Sequence, residues 1–244
     1  MALRTTTRPL LSALARPTAR SYHSIQYPAD PLPHNKRQQS ILDAALTHVP
    51  TYGFSSECIA AGCRDNGYLD ATTNLFPRGA MDLISYFFAK ERVALKGKAE
   101  KEGLIGGGGR VVGELVKLRL KGNVEAGVVG ELSQALAIMA MPSNVPIALK
   151  ELSLLSDEIW WLAGDKSVDM NWYTKRGSLA AIYGATEIFM TKDSSPDYQE
   201  TWKFLEHRLS DVHKLGSVAG GFADYASFTA GSVISLLRSK SLLK

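Results

Sequence analysis

Apolar side chains recur at intervals of three and four residues along most of this 244-residue chain. That spacing places each set on one face of an α-helix. Clear examples are Ile41, Leu42, Ala45, Leu46 and Val49, then Leu152, Leu155, Ile159 and Leu162. Strand-like alternation of useful length occurs nowhere. The pattern therefore predicts an all-α bundle of about ten helices, with one main domain over residues 35–215 and an appended C-terminal helix.

Capping and breaking residues set the expected helix boundaries. The pattern predicts helices over about 35–49, from Ser55 or Ser56 to Gly67, and over about 79–95. A short helix precedes the third of these and ends at Phe76-Pro77. Residues 96–109, which end in four glycines, are expected to form a flexible connection. Helices over about 111–120 and 124–141 follow, and Pro142 ends the second.

Three short helices followed by a long one resemble the helix-turn-helix head of TetR-type proteins. The small or apolar residues that carry this resemblance are Gly53, Ile59, Ala60, Ala61, Gly62, Leu75, Phe76 and Gly79. A TetR-type DNA-binding regulator is therefore an alternative function. The segment that would enter the major groove, 64–76, has one cation and two acids, whereas phosphate contacts need Lys and Arg. A scaffold role for this head is favoured, without nucleic acid as a partner.

Residues 1–22 contain four arginines and no acid, and they lack a long apolar run. This composition is typical of a mitochondrial transit peptide, with a disordered basic tail as the alternative. A proline-containing linker, residues 23–34, is expected next. Without the four arginines, basic and acidic residues are equal in number, which does not favour nucleic-acid binding.

The last segment, residues 217–240, is predicted to be an amphipathic helix. Its apolar stripe includes Phe222, Tyr225, Val233, Leu236 and Leu237. Small residues keep its hydrophobicity below that of a spanning helix, and basic residues cluster at its end. The pattern fits a helix lying on a membrane, and packing against the protein's own core or a dimer mate is the alternative.

The stretch 157–192 contains three of the four tryptophans together with acids and cations. Its charged side chains are Asp157, Asp165, Asp169, Lys175, Arg176 and Glu187. They could form an active site, a salt-bridged corner between two helices that break at Gly164, or the rim of a docking surface.

Patterns that carry catalysis are missing from the sequence. None of the five histidines lies in an E-x-x-H or H-E-x-x-H pattern, and no G-x-S-x-G occurs. Cys58 and Cys63 are expected to be reduced thiols, because no other cysteine can pair with them. No catalytic residue, cofactor or metal ligand is predicted, and the protein is not expected to be an enzyme.

A helical bundle can also enclose an apolar cavity between its helices. Candidate lining residues are Met139, Met141, Leu155, Leu179, Tyr183, Phe189 and Met190. An ordinary dry core explains the same residues equally well.

Two longer runs point to a known family. AGDKSVDMNWYTKR begins at Ala163, and SPDYQETWKFL begins at Ser195, two residues after Asp193. They resemble the mitochondrial coenzyme Q biosynthesis accessory proteins, the ninth of the Coq series, and the similarity covers roughly 36–212. No family pattern is seen in the glycine-rich stretch 103–109.

This resemblance implies a TetR-like all-α homodimer on the matrix side of the mitochondrial inner membrane. It implies an apolar pocket for an isoprenoid lipid or quinone intermediate, and association with the coenzyme Q biosynthetic complex. The implied role is to present the precursor to the di-iron demethoxyubiquinone hydroxylase, without catalysis of its own. The family's docking surface corresponds here to Asp157, Ile159, Asp169, Trp172 and Tyr173.

Overall fold

The computed structural model describes residues 32–167 and 170–216. The predicted transit peptide, most of the linker and the predicted helix 217–240 lie outside these residues. So do Asp169 and the five candidate membrane residues, Phe222, Tyr225, Val233, Leu236 and Leu237. For these segments the sequence-based predictions stand as predictions.

The described residues form α-helices and short 3-10 turns without a β-strand, which confirms the all-α prediction. The helices are α1 (Lys36–Tyr52), α2 (Ser56–Asp65), α3 (Ala80–Lys101), α4 (Val112–Glu125), α5 (Leu132–Met139), α6 (Val145–Leu162), α7 (Met170–Met190) and α8 (Gln199–Gly216). In the described part of the chain, no helix is both long and apolar enough to cross a membrane.

Side-chain caps start the first two helices where the sequence places them. Asn35 and Gln38 form a reciprocal capping box at the start of α1, and the Ser55 hydroxyl accepts from the Cys58 N–H at 3.2 Å. Helices α1 and α2 then cross closely at Gly62. A Cβ atom at this position would lie 2.5 Å from the Ile41 carbonyl oxygen, so only glycine permits this crossing.

Two hydrophobic cores are joined by the long helix α3. The first core gathers side chains from α1, α2, the first half of α3 and α5. The second gathers the last half of α3 with α4, α6, α7 and α8. Phe88 belongs to the first core and Leu95 to the second, two turns later. Helix α3 therefore passes from the first core into the second without a break.

The prediction of a flexible connection over residues 96–109 is wrong. Helix α3 continues to Lys101, and the glycine-rich loop after it caps the end of α6. The Gly106 N–H donates to the Leu162 carbonyl at 2.8 Å, and the Gly108 N–H donates to the Ala163 carbonyl at 2.7 Å. The loop thus satisfies carbonyls that the end of α6 leaves without helical partners.

The predicted single helix over 124–141 is also divided in the structure. Helix α4 ends at Glu125, Gly127 has a positive φ of 67°, and a 3-10 turn over Val129–Glu131 leads into α5. Gly127 adopts this left-handed conformation without the penalty that a Cβ atom would bring. The break separates α5 from α4, and α5 packs with the first core.

Candidate functional site: an apolar cavity and an aromatic corner

A cavity lies where the two cores meet. Its walls come from four helices: α3 contributes Phe88, α5 contributes Leu136 and Met139, and α6 and α7 supply the rest. The α6 residues are Ala148, Leu149, Glu151, Leu152 and Leu155, and the α7 residues are Tyr183, Gly184, Glu187 and Ile188.

The cavity volume is about 130 Å³. An apolar cavity of about 150 Å³ stays dry and binds benzene or xenon, so this space suits one six-membered ring or a short hydrocarbon segment. Leu149 lines the cavity and is 60% exposed, which places the opening at the start of α6. A ligand longer than one ring would have to leave the cavity there.

Three of the seven predicted lining residues, Met139, Leu155 and Tyr183, line this cavity. Leu179 and Met190 are buried in the second core, and Met141 is half-exposed near the start of α6. Phe189 stacks on Phe204 with ring centroids 4.6 Å apart. These four do not line the cavity: the three α7 residues pack against other neighbours, and Met141 lies after the end of α5.

The sequence analysis did not place the remaining lining residues at a cavity. It grouped Glu187 with the charged residues of the 157–192 stretch, whereas Glu187 lines the cavity and bonds to Tyr183 and Asn123. Gly184 was one available signal for the cavity. A glycine inside a helix lowers helix stability, so its presence often indicates a packing or functional role. A Cβ atom built at Gly184 would meet no atom within 4 Å. Because Gly184 has no side chain, the cavity space next to it stays unfilled.

A buried polar network lies against the α7 wall. The Tyr183 hydroxyl donates to Glu187 Oε1 at 2.9 Å, and the Asn123 amide donates to the same oxygen at 3.1 Å. Arg119 donates to Asn123 Oδ1 at 2.9 Å. All four side chains are buried. Burial raises the pKa of Glu187, although the nearby Arg119 charge and the two hydrogen bonds oppose this shift.

The α6 wall holds an ion pair. Arg92, which is buried on α3, donates to Glu151 Oε1 at 2.6 Å. Glu151 lines the cavity, and its Oε1 is occupied by this bond. The polar atoms of the walls are therefore mostly bound to the protein, and the inner surface is hydrocarbon.

The aromatic corner is the second feature of interest, and it is formed by the end of α6 and the start of α7. Arg176 is its centre: Nε donates to Asp157 Oδ1 at 2.5 Å, and Nη1 donates to Asp165 Oδ2 at 3.1 Å. The guanidinium also lies 4.3 Å from the centroid of the Trp172 ring, within cation–π range. The corner is thus salt-bridged, as one of the three sequence-based interpretations expected.

Asp165 binds three side chains at this corner. It accepts from Lys175 Nζ at 2.7 Å and from the Ser167 hydroxyl at 2.7 Å, besides Arg176. Burial alone would raise the pKa of Asp165, but these hydrogen bonds and the Lys175 charge lower it to about 2. Asp165 is therefore ionised at neutral pH and fixes both cations.

The predicted docking residues differ in their exposure. Tyr173 is 63% exposed and contacts Trp172 edge to face, with centroids 4.8 Å apart. Asp157 is 8% exposed and Ile159 is fully buried in the second core. Ile159 therefore supports the surface from below and cannot itself contact a partner in this conformation.

The head formed by α1, α2 and the turn after them offers little for DNA. Arg64, the cation of the candidate recognition segment, donates to both carboxylate oxygens of Asp70 at 3.0 Å. The later part of that segment is a 3-10 helix, Asp70–Leu75. Its one cation is thus engaged by an acid of the same segment, which disfavours the DNA-binding alternative.

Two family models match parts of this chain. The family model described as COQ9 matches residues 145–216, which include the corner and most of the cavity wall. The model described as "Ubiquinone biosynthesis protein COQ9, N-terminal domain" matches residues 35–64.

Similar proteins occur in fungi and animals. The chain is 41% identical to the mitochondrial ubiquinone biosynthesis protein coq9 of Schizosaccharomyces pombe over 236 residues, 96% of this chain and 91% of that protein. It is 37% identical to COQ9-B of Xenopus laevis and 36% identical to COQ9 of Homo sapiens. These matches cover 74% and 75% of this chain, and 64% and 59% of the frog and human proteins.

The fold and the cavity define an all-α helical protein with an apolar internal site of small-ligand size. By its similarity to the fungal protein along nearly the whole length of both, this chain belongs to the COQ9 family of ubiquinone biosynthesis proteins. The relatives are named as mitochondrial proteins.

Proposed function

We propose that this protein is a lipid-binding accessory protein of ubiquinone biosynthesis. It binds an isoprenoid quinone precursor and presents it to the di-iron demethoxyubiquinone hydroxylase of the pathway, without catalysis of its own. It works as a homodimer attached peripherally to the matrix side of the mitochondrial inner membrane. The observation that carries this proposal is the apolar cavity between α3, α5, α6 and α7.

Apolar burial can supply the affinity for such a ligand. Each buried methylene contributes about 0.8 kcal/mol, so a short hydrocarbon segment in the cavity already favours binding by several kcal/mol. The remainder of a prenylated molecule would lie outside the opening at Leu149, where part of its chain could stay in contact with the bilayer. The 130 Å³ cavity thus holds one end of the precursor, not all of it.

The arrangement of the two helices supports a link between ligand and partner. Leu155 lines the cavity, and Asp157, two residues later on α6, belongs to the corner. On α7, Tyr183 lies seven residues after Arg176, about 10 Å along the helix. Tyr173 lies ten residues before Tyr183, so a partner that docks on Trp172 and Tyr173 would sit about 15 Å along α7 from this wall of the cavity.

A cavity-filling substitution tests the proposal. Gly184→Phe places a ring in the empty space, because nothing lies within 4 Å of a Cβ atom there. A short-chain isoprenoid quinone should raise the melting temperature of the wild type, with about 2.7 kcal/mol of stabilisation at 100 times Kd. The same ligand should leave Gly184→Phe unaffected.

Gly97→Phe is the matched control. Gly97 also lies in a helix with no atom within 4 Å of a Cβ atom, but it is exposed on α3, away from the cavity walls. The control should respond to the quinone as the wild type does. Equal stabilisation of wild type and Gly184→Phe would show that the ligand does not use this cavity. Gly184→Leu provides a smaller filler if the phenyl ring proves too large.

A further inference from the structure

A network of buried polar and charged side chains lies next to the cavity. Arg119, Asn123, Tyr183 and Glu187 are all buried, and Nε and Nη2 of Arg119 have no hydrogen-bond partner within the described part of the chain. A buried guanidinium with unpaired N–H groups destabilises a fold unless other contacts compensate. The Arg119 guanidinium packs against Phe88, 5.4 Å from its centroid, and Phe88 itself lines the cavity.

One carboxylate oxygen of Glu187 also takes no part in the hydrogen bonds of this network. Oε1 of Glu187 accepts from both Tyr183 and Asn123. Oε2 has no hydrogen bond among the described residues. Glu187 is buried from bulk solvent and lines the cavity, so Oε2 is the carboxylate oxygen that is left for a ligand there.

We propose that Glu187, held by Tyr183 and Asn123, is a polar anchor for the oxygen of a six-membered aromatic ring, so that the ring-shaped head of the ligand enters the cavity. The inference rests on the proposed function only in taking this cavity as the ligand site. It adds which end of the molecule goes in and which side chain recognises it. The hydrocarbon tail then leaves through the opening at Leu149.

Size and chemistry both favour a ring. The 130 Å³ volume is close to that of a cavity that holds benzene, and it is far too small for a polyprenyl chain. A phenol or quinol hydroxyl can donate to an ionised Glu187. A protonated Glu187 can donate from Oε2 to a ring oxygen, because Oε1 already accepts two bonds. The raised pKa of Glu187 makes the protonated form more accessible than at an exposed site.

Phenol and toluene test the anchor directly, because they differ only by a hydroxyl in place of a methyl group. An apolar cavity without an anchor should favour toluene strongly, since burying an unpaired hydroxyl is unfavourable. We expect the purified wild-type chain to bind phenol at least as tightly as toluene, in Kd values from NMR titration. Toluene binding about tenfold or more tighter than phenol would overturn the proposal.

Substitutions test whether Glu187 is the side chain that favours phenol over toluene. Tyr183→Phe/Glu187→Met removes the Tyr183–Glu187 hydrogen bond without leaving the tyrosine hydroxyl unpaired, although the Asn123 amide loses its acceptor and the variant is expected to be less stable. In this double variant the preference should invert, with phenol weakened by about tenfold relative to toluene, as expected for the loss of one hydrogen bond. Thr186→Val is the control, because Thr186 is fully buried on the same helix but does not line the cavity. Thr186→Val should keep the wild-type ratio of the Kd values for phenol and toluene.

The outcomes separate this inference from the proposed function. If the short-chain quinone binds and Gly184→Phe blocks it, while the wild type prefers toluene, the tail enters the cavity and only the head-group assignment fails. If neither phenol nor toluene binds, the ring assignment also fails, and the Gly184→Phe experiment alone decides the proposed function. If the double variant does not fold, the wild-type ratio still decides.

Discussion

Individual glycines set how closely the helices of this protein approach each other. At Gly62 a Cβ atom would come within 2.5 Å of the α1 backbone, whereas at Gly97 and Gly184 it would meet nothing within 4 Å. The sequence alone could not tell these cases apart, because a glycine within a helical pattern looks the same in each. The difference comes from what lies opposite each glycine in the folded chain.

We expect Gly62→Ala to destabilise the protein by about 1–3 kcal/mol, because the α1–α2 crossing must open to admit the methyl group. Gly97→Ala, at an exposed position in α3, should stabilise it by about 0.5–1 kcal/mol through helix propensity. Urea unfolding of the two variants measures both changes. A Gly62→Ala variant as stable as Gly97→Ala would contradict the close crossing.

Asp165→Asn tests the ion pairs of the corner. The lowered folded pKa means that Asp165 contributes stability above about pH 4, and this contribution is lost as the pH falls toward 2. The variant should therefore be less stable than the wild type by about 1.5–3 kcal/mol at pH 7, and the difference should shrink between pH 4 and pH 2. Urea titrations at pH 7, 4 and 2.5 measure it.

Asp70→Asn is the comparison for that experiment, because the Arg64–Asp70 pair is exposed. It should change stability at pH 7 by less than about 1 kcal/mol. Asp193, whose pKa is also lowered to about 2, makes both wild type and variants weaken in acid. The difference between wild type and Asp165→Asn is therefore the informative quantity. A difference that does not change with pH would contradict the account.

At the scale of elements, the helices were more predictable than the connections between them. The caps at Asn35 and Ser55 are local signals, and both appear where the sequence indicates. The role of the glycine-rich loop was not predictable, because Gly106 and Gly108 donate to carbonyls of α6 more than fifty residues later. The glycine-rich composition predicted a flexible loop. Its hydrogen bonds to the end of α6, which is distant in sequence, give the loop a defined position.

The α6–α7 hairpin carries both the corner and part of the cavity, so surface substitutions on it test partner docking. Tyr173→Ala and Trp172→Ala should each weaken capture of the hydroxylase by tenfold or more, as expected for aromatic anchors. Tyr68→Ala, an exposed tyrosine outside the corner, should not. Circular dichroism checks that all three variants stay helical, and normal capture by both corner variants would place the docking surface elsewhere.

At the scale of the whole molecule, the all-α class followed from hydrophobic periodicity, but the cavity did not. Periodicity identifies the buried face of each helix and not which of two cores that face joins. Leu179 and Leu155 have the same pattern, yet only Leu155 reaches the junction of the cores. The cavity arises because α3 runs through both cores and the helices on either side do not fill the space between.

At the scale of the whole chain, the sequence predicts that residues 217–240 attach the protein to a membrane surface. Deleting residues 217–244 should release the protein from anionic liposomes in a flotation assay, because the apolar stripe and terminal cations would be lost. Replacing Leu236 and Leu237 by serine should also weaken binding to the liposomes, but by less than the deletion does. Unchanged flotation of the deleted protein would make the segment a packing element.

We propose above that a ring-bearing isoprenoid lipid occupies the cavity between α3, α5, α6 and α7. Lipid mass spectrometry of the protein purified under native conditions tests it most directly, with Gly184→Phe and Gly97→Phe purified in parallel. We expect an isoprenoid quinone precursor to co-purify with the wild type and with Gly97→Phe, and to be lost from Gly184→Phe. A wild-type protein without such a lipid, or a Gly184→Phe protein that carries it in equal amount, would contradict the account.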